Sequence, residues 1–193
     1  MAIEFELKYQ ASATQIEAVA AAFPGEERLI TMQTTYFDTP SRSLSARHIT
    51  CRTRLENGVS VCTVKTPAKD GARDEFETEC DNIEEAISRL CKLGCPADLL
   101  ALTAGGVIPV CGARFTRQAL TIRFRDSVLE LALDSGVLFG GSREIPLCEI
   151  EVELKEGSRE DILLFGAMLA KAHGLQPQPG SKFRRALALK EED

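Results

Sequence analysis

The chain has 193 residues, of which 44% are hydrophobic and 27% are charged, which is the composition of a soluble globular protein with one domain. Its net charge of −6 and its pI near 5.1 argue against a general nucleic-acid surface. No apolar run approaches the roughly 18 residues that a membrane span needs. The seven cysteines form no C-x-x-C pair and only two histidines are present, so we do not expect a zinc site.

The N-terminal residues and the cysteines indicate the cellular compartment in which the protein is expected. The first residues already form a charged strand, which leaves no room for a signal peptide. An odd number of cysteines without a framework fits free thiols in a reducing compartment. We therefore expect a cytoplasmic protein.

The N-terminal residues predict a strand that ends near Gln10. Because side chains alternate between the two faces of a strand, Glu4, Glu6 and Lys8 share one face. The other face is apolar and consists of Ile3, Phe5, Leu7 and Tyr9. Two carboxylates and an ammonium in one row suit the inner wall of a barrel that holds a divalent cation and an anionic ligand together.

Three amphipathic helices are predicted between and after the strands. The first has Ser12 or Thr14 as its cap and stops at Pro24-Gly25. The second begins after Asn82 and ends at Gly94, and the third begins after Ser158 and ends at His173-Gly174. A shorter helix is predicted within 96–106, and 181–189 is a short basic segment.

The remaining extended segments share alternating polarity, Thr and aromatic enrichment, or turn residues at their ends. We predict strands at 30–38, 48–55, 59–66, 73–80, 107–117, 119–125, 128–134 and 145–155. A hairpin turn is predicted at Glu56-Asn57-Gly58, and 67–72 reads as a charged loop. Strands in this number, with helices between them, predict an α+β fold whose antiparallel sheet is large enough to close.

The later strands repeat the charged face of the first one. Their alternate positions carry charges grouped by sign: Arg52 and Arg54; Arg73, Glu75, Glu77 and Glu79; Arg123 and Arg125; Glu130 and Asp134; Glu149, Glu151, Glu153 and Lys155. A solvated face of a one-sided sheet would explain any single strand. Clustering by sign, with few neutral polar residues on these faces, favours instead a site that holds metal and phosphate together.

The two signs of charge have distinct chemical uses. Guanidinium and ammonium groups bind phosphate oxygens, and arginine offers the better fork. Carboxylates bind Mg²⁺ or Mn²⁺. A closed barrel would bring both sets into one polar tunnel, where phosphoryl transfer is driven by positioning and charge neutralisation.

With these residues in view, the chain resembles the CYTH family, also called triphosphate tunnel metalloenzymes. The resemblance rests on motifs that occur in order along the whole chain: Glu4-x-Glu6-x-Lys8, Tyr36-Phe37-Asp38-Thr39, Leu44, Arg52-x-Arg54, Lys65, Arg73-x-Glu75, Glu130-Leu-Ala-Leu-Asp134, Glu149-x-Glu151 and Ser181-Lys182. It implies one domain over residues 1–193, folded as an eight-stranded antiparallel barrel that forms a triphosphate tunnel and is covered by helices.

The resemblance also implies roles for individual residues. The implied metal ligands are Glu4, Glu6, Glu75, Asp134, Glu149 and Glu151. The implied phosphate ligands are Lys8, Arg52, Arg54, Lys65, Arg73, Arg117, Arg123 and Lys182, and the assignment among Arg114, Arg117, Arg123 and Arg125 stays open. Lys8, Glu6 and Arg54 are the implied catalytic residues. Glu77, Glu79 and Glu153 are expected to be bystanders, and Tyr36 a packing residue.

Within this family the expected activity is hydrolysis of inorganic triphosphate to pyrophosphate and phosphate, with Mg²⁺ or Mn²⁺ as the cofactor. Thiamine triphosphatase and class IV adenylate cyclase are alternatives, and so is a polyphosphate- or nucleotide-binding module without turnover. The chain has no Trp to stack on thiamine and no His near the first motif, which we would expect of a cyclase. The expected partner is a small triphosphate, without nucleic acid or membrane; the oligomeric state stays open.

Overall fold

The computed structural model describes residues 2–3, 5–68, 73–96 and 98–191, the first two by their backbone. Glu4, one of the predicted metal ligands, lies outside the described residues, as does most of the predicted 67–72 loop. No helix in the described ranges has the length and apolar character needed to cross a membrane.

Ten strands and five α-helices make up the described part of the chain. The strands are β1 (Ala2–Ile3), β2 (Glu6–Gln10), β3 (Glu27–Asp38), β4 (Thr50–Glu56), β5 (Val59–Pro67), β6 (Arg73–Glu79), β7 (Ile108–Phe124), β8 (Ser127–Gly140), β9 (Arg143–Glu156) and β10 (Gln176–Pro177). The helices are α1 (Ala13–Ala22), α2 (Ile83–Lys92), α3 (Asp98–Thr103), α4 (Arg159–His173) and α5 (Lys182–Glu191).

The strands form one antiparallel sheet in the order β1-β6-β5-β4-β3-β7-β8-β9-β2-β10. Its two ends meet in the N-terminal segment, because β1 pairs with β6 whereas β2 pairs with β9. If β1 and β2 are taken as one strand and the two-residue β10 is set aside, eight strands surround a common interior. The predicted α+β fold with an eight-stranded, helix-covered barrel is confirmed.

The outer face of the barrel is apolar where helices cover it. Under α1 and α4, the outward residues of β2, β8 and β9 form a buried layer that includes Leu131, Ile150 and Val152. A second apolar cluster joins β4, β5 and β6 to α2 and α3. A third joins β3, β7 and β8 to α5 and lies on the inner face, since its members Met32 and Tyr36 also line the interior cavity. In the first two clusters, the alternation that buries the apolar side chains turns their charged neighbours toward the interior.

The helix caps follow the predicted sequence signals. Ser12 forms a capping box with Gln15, and Asn82 accepts a hydrogen bond from the backbone of Glu85. Ser158 caps α4 in the same way, and α4 ends in a left-handed Gly174. Caps of this kind satisfy backbone N–H groups that otherwise have no partner in the first turn.

Several strands are longer than predicted. The two strands predicted at 107–117 and 119–125 are one strand, β7, because Gln118 pairs with Leu133 without interrupting the ladder. β8 and β9 likewise extend to Gly140 and from Arg143, where the hairpin turn lies. At these positions the local sequence alone predicted the end of a strand. Hydrogen bonding to the neighbouring strands keeps the backbone extended there.

The basic segment predicted at 181–189 is helix α5, which packs against β7 and β8. Gly140 permits its close approach, since a Cβ at this position would lie 2.2 Å from the backbone oxygen of Ala186. The Tyr36 ring lies 5.0 Å from the Phe183 ring of α5, as expected of a packing residue. Helix α5 thereby forms part of the wall of the interior cavity.

Candidate active site

The barrel encloses a cavity of about 350 Å³, within the range of small-molecule sites. Every strand except the two-residue β1 and β10 contributes a side chain to its lining, and α5 closes one part of it. Among the described lining residues, nine are basic and seven are acidic. The inward charged faces predicted from the alternation therefore meet around one space, and the alternative of a solvated face does not apply to them.

Three arginines, Arg52, Arg54 and Arg117, create a concentration of positive charge in the wall. Arg54 is only 8% exposed; its Nε donates to Thr34 Oγ1 at 3.0 Å, and its Nη1 lies 3.6 Å from Glu56. Burial and the neighbouring charges of Arg52 and Arg117 lower the pKa of Arg54 to about 10. A buried guanidinium whose nearest described carboxylate is 3.6 Å away and which has two arginines as neighbours would be stabilised by an anion in the cavity.

Glu75 joins two of the basic residues on the adjoining wall. Its carboxylate lies 3.4 Å from Arg52 Nη2 and 3.1 Å from Lys65 Nζ. Two backbone oxygens hold the side chain of Arg73 in place: its Nη2 donates to His48 O at 2.7 Å and to Lys65 O at 3.1 Å. The buried Nε of Arg52 has no hydrogen-bond partner within the described ranges. A buried donor of this kind is uncommon in native proteins and points to a ligand.

The first strand contributes an adjacent acid and base. Lys8 Nζ lies 2.6 Å from Glu6 and 3.8 Å from Glu151. Burial by itself lowers the pKa of Lys8, but the carboxylates of Glu151 and Glu6 outweigh it and raise the pKa above its ordinary value. Lys8 is therefore a protonated hydrogen-bond donor at neutral pH and does not act as a general base.

Behind this wall, three carboxylates meet at one point. Asp134, Glu149 and Glu151 have oxygen atoms within 4.8 Å of one another, and the cluster could hold a metal ion. In this structure the ammonium of Lys182 lies among them, 2.8 Å from Asp134, 2.9 Å from Glu151 and in hydrogen-bond contact with Glu149. The ammonium donates hydrogen bonds to Glu149 and Glu151, and its contact with Asp134 is an ion pair.

Two arginines complete the surroundings of this carboxylate cluster. Arg117 donates to both oxygens of Asp134 at 2.8 Å and also contacts Glu151. Arg185 of α5 lies 2.9 Å from the second oxygen of Glu149. Burial tends to raise the pKa of Glu151, but Lys182, Arg117 and Lys8 hold it well below its ordinary value. The pKa of Glu149 is raised, because burial outweighs the charge of Lys182.

The structure brings most of the sequence-predicted site residues to the cavity. Its lining includes Glu6, Lys8, Arg52, Arg54, Lys65, Arg73, Glu75, Arg117, Glu151 and Lys182. Asp134 and Glu149 are fully buried and absent from the described lining, and they contact the lining residues Lys182 and Arg117. Glu4 lies outside the described residues.

The ambiguity among four arginines of the β7 region is resolved by position. Arg117 lines the cavity, whereas Arg123 is exposed and absent from the described lining. Arg114 points outward to Glu144, and Arg125 lies in the hairpin turn beside Asp161. Arg123 shares the inward parity of Arg117, but it lies at the end of the strand, beyond the cavity.

Sequence reasoning missed part of the lining. Glu77 and Glu153, expected to be bystanders, face the cavity; Glu77 lies 3.8 Å from Arg52 and accepts a hydrogen bond from Thr63. Arg28 and Glu130, which pair at 2.7 Å, also line it. The alternation that identified Glu151 already placed Glu153 on the same face. Arg28 carried no comparable signal, because the predicted strand began at residue 30.

The fold is an antiparallel barrel whose interior cavity is lined by side chains of both charges and partly closed by α5. The chain belongs to the CYTH domain family, whose sequence profile matches residues 2–187. An inorganic triphosphatase of Haemophilus influenzae is 27% identical over 166 residues, which are 85% of this chain and 47% of that protein. The chain thus spans about half the length of this curated relative.

Solved structures share the fold. A candidate adenylate cyclase from Bacillus halodurans superimposes with a TM-score of 0.62 at 18% identity, covering 93% of this chain and 94% of its own. A candidate adenylyl cyclase from Hippeastrum, described as having a dominant triphosphatase activity, gives 0.61 at 22% identity, covering 97% and 96%. At these identities the likeness concerns the fold.

Proposed function

We propose that this protein hydrolyses triphosphate compounds with a divalent metal ion, and that inorganic triphosphate is its preferred substrate. The observation that carries the proposal is the enclosed cavity in which Arg52, Arg54 and Arg117 concentrate positive charge, with Arg54 buried. Arginine is the side chain best suited to phosphate oxygens, since its planar fork forms paired hydrogen bonds. The similarity to an inorganic triphosphatase supports the same activity.

The lining favours an inorganic substrate over a nucleotide or thiamine compound. Tyr36 and Phe183 are the aromatic residues in the described lining, and their rings pack on each other. Tyr36 is buried, so it offers no free face on which a base or a thiazolium could stack. The described lining thus provides many charges for a phosphate chain, and Phe183 is its one partly exposed aromatic ring.

The carboxylates fit a divalent metal ion. The ammonium of Lys182 is a stand-in cation among Asp134, Glu149 and Glu151, which shows that this arrangement of oxygens accommodates a positive charge. These three residues would hold the ion, and Glu6 and Glu75 are further carboxylates of the cavity wall. The bound ion would neutralise charge on the transferring phosphoryl group, and Mg²⁺ and Mn²⁺ both suit such oxygens.

The protein's own residues supply the positioning. Arg52, Arg54, Lys65, Arg73 and Arg117 bind the phosphate chain, with Arg54 set to neutralise the charge that develops on the pyrophosphate leaving group. Lys8, held protonated beside Glu6, orients the attacking water and a phosphate oxygen. Water attacks the terminal phosphorus, the bridging P–O bond breaks, and phosphate and pyrophosphate leave.

The test is phosphate release from tripolyphosphate, ATP and thiamine triphosphate, with Mg²⁺, with Mn²⁺ and with a chelator. We expect metal-dependent turnover of tripolyphosphate that exceeds turnover of the other two, and a loss of about a hundredfold or more in kcat for Glu6→Gln. Glu144→Gln, a change on the outer surface, is the control and retains activity. Tight polyphosphate binding without turnover would replace this proposal with a binding module.

A further inference from the structure

Lys182 differs from the other basic residues of the cavity because its ammonium neutralises a cluster of three carboxylates of the protein in the ligand-free state. The side chain is 6% exposed; its ammonium donates to Glu149 and Glu151 and forms an ion pair with Asp134 at 2.8 Å. From this position the ammonium must move to contact a phosphate chain in the cavity. The role of Lys182 as a phosphate ligand stays a prediction, and in the ligand-free state its charge is used by the three carboxylates.

The carboxylate cluster needs a cation at this point. A buried carboxylate left without a partner is strongly destabilised, and three of them within 4.8 Å repel one another. Arg117 and Arg185 approach Asp134 and Glu149 from outside, whereas Lys182 Nζ contacts all three carboxylates at once. The ammonium thus occupies the place that a divalent ion would take.

If the ammonium of Lys182 leaves the three carboxylates, it can move into the cavity. Lys182 is the first residue of α5, and its side chain already forms part of the cavity lining. Its Nζ also lies 5.4 Å from the centre of the Phe115 ring, and the guanidinium carbon of Arg54 lies 5.9 Å from the same centre. A small rotation of the side chain therefore directs the ammonium toward the space where we place the phosphate chain.

We infer that Lys182 is an internal competitor of the metal ion: it neutralises the Asp134–Glu149–Glu151 cluster in the free protein and yields its place when a divalent ion enters. The displaced ammonium then serves the phosphate chain, so metal and triphosphate each favour the binding of the other. This inference deepens the proposed function and depends on it for the identity of the anion. The competition itself does not require turnover.

The experiment measures binding of Mn²⁺ alone, without any phosphate compound, by the signal of free Mn²⁺ in electron paramagnetic resonance. Removing a competitor tightens binding, so we expect Lys182→Met to bind Mn²⁺ about tenfold more tightly than the unaltered protein. Arg185→Met is the charge-matched control, because it removes one positive charge beside Glu149 without emptying the cluster. We expect its gain to stay below about threefold.

Equal or weaker Mn²⁺ binding by Lys182→Met would overturn the inference, and so would an equal gain in both variants. Lys182→Gln is a second variant in case methionine beside three carboxylates prevents folding. The unaltered protein gives an independent readout: on titration with Mg²⁺, the ¹⁵N-labelled ammonium signal of Lys182 should shift as the site fills. A signal that stays constant while Mg²⁺ binds would also overturn it. A lack of triphosphatase activity would refute only the proposed function.

Discussion

Glu149, Ile150 and Val152 of β9 are all fully buried, yet they lie in opposite surroundings. Ile150 and Val152 are covered by α1 and α4 in an apolar layer, whereas Glu149 faces Lys182 and Arg185. The outward row stabilises the fold by removing apolar surface from water. The inward row places like charges close together and depends on its partners for compensation. The buried apolar residues of β9 therefore stabilise the fold, whereas its buried charged residues belong to the candidate active site.

The outer layer should respond most strongly to a loss of volume. Ile150 is fully buried, so Ile150→Ala should lower the free energy of unfolding by about 2–5 kcal/mol, through lost burial and the cavity left behind. Urea unfolding would measure this change. Glu153→Gln, on the inner face of the same strand, removes an ion pair with the half-exposed Lys155 and should change the free energy of unfolding by less than about 1 kcal/mol. Equal effects would contradict the distinction between the faces.

The packing of α5 against the barrel affects both the stability of the fold and the charged interior. Gly140→Ala would place a Cβ 2.2 Å from the backbone of Ala186, so the helix must move, and overpacking of this kind costs about 1–3 kcal/mol. We expect faster hydrogen exchange in α5 and weaker polyphosphate binding, since Lys182 is displaced with the helix. Gly105→Ala is the control, because no atom lies within 4 Å of its added Cβ. Unchanged exchange in α5 would show that the helix is not held in this way.

The smallest effect concerns a carboxylate outside the cavity. The hydroxyl of Ser127 donates to Asp161 at 2.7 Å and, with Arg125 and the cap residue Ser158, lowers the pKa of Asp161. A carboxylate with a lowered folded-state pKa contributes stability above its unfolded pKa of about 3.9 and loses it as the pH falls through the folded value. Urea unfolding at pH 6 to about pH 2 should therefore show a shallower acid decline for Asp161→Asn. Parallel curves would refute this role.

Much of the inward face could be predicted from the sequence, because alternation along a strand is a local property. Glu6, Arg52 and Glu151 were assigned to charged faces before any strand pairing was known, and all three line the cavity. The apolar residues between them were assigned to the opposite face on the same basis. Local pattern and family resemblance together therefore gave the architecture.

The positions of residues along the barrel could not be predicted in this way. Arg117 and Arg123 have the same parity on β7, yet Arg117 lines the cavity whereas Arg123 is exposed near the end of the strand and absent from the described lining. Parity alone does not tell how far along the barrel the cavity extends. Glu149 reads like Glu151 in the sequence, but Lys182 and Arg185 cover it. Both outcomes depend on contacts between distant segments, including α5. The cap residue Ser181 and the Ala- and Leu-rich sequence of α5 favour a helix, a signal that the prediction of a basic segment did not use.

The most direct test of the account compares two arginines that differ in the face on which they lie. kcat/KM for tripolyphosphate would be measured with saturating Mg²⁺ for Arg54→Met, on the inner face, and for Arg114→Met, which is exposed on the outer face beside Glu144. The account predicts a loss of about a hundredfold or more for the inner variant with little change in unfolding free energy, and less than about twofold for the outer one. Equal activity of the two variants would contradict the claim that the barrel interior is the triphosphate site.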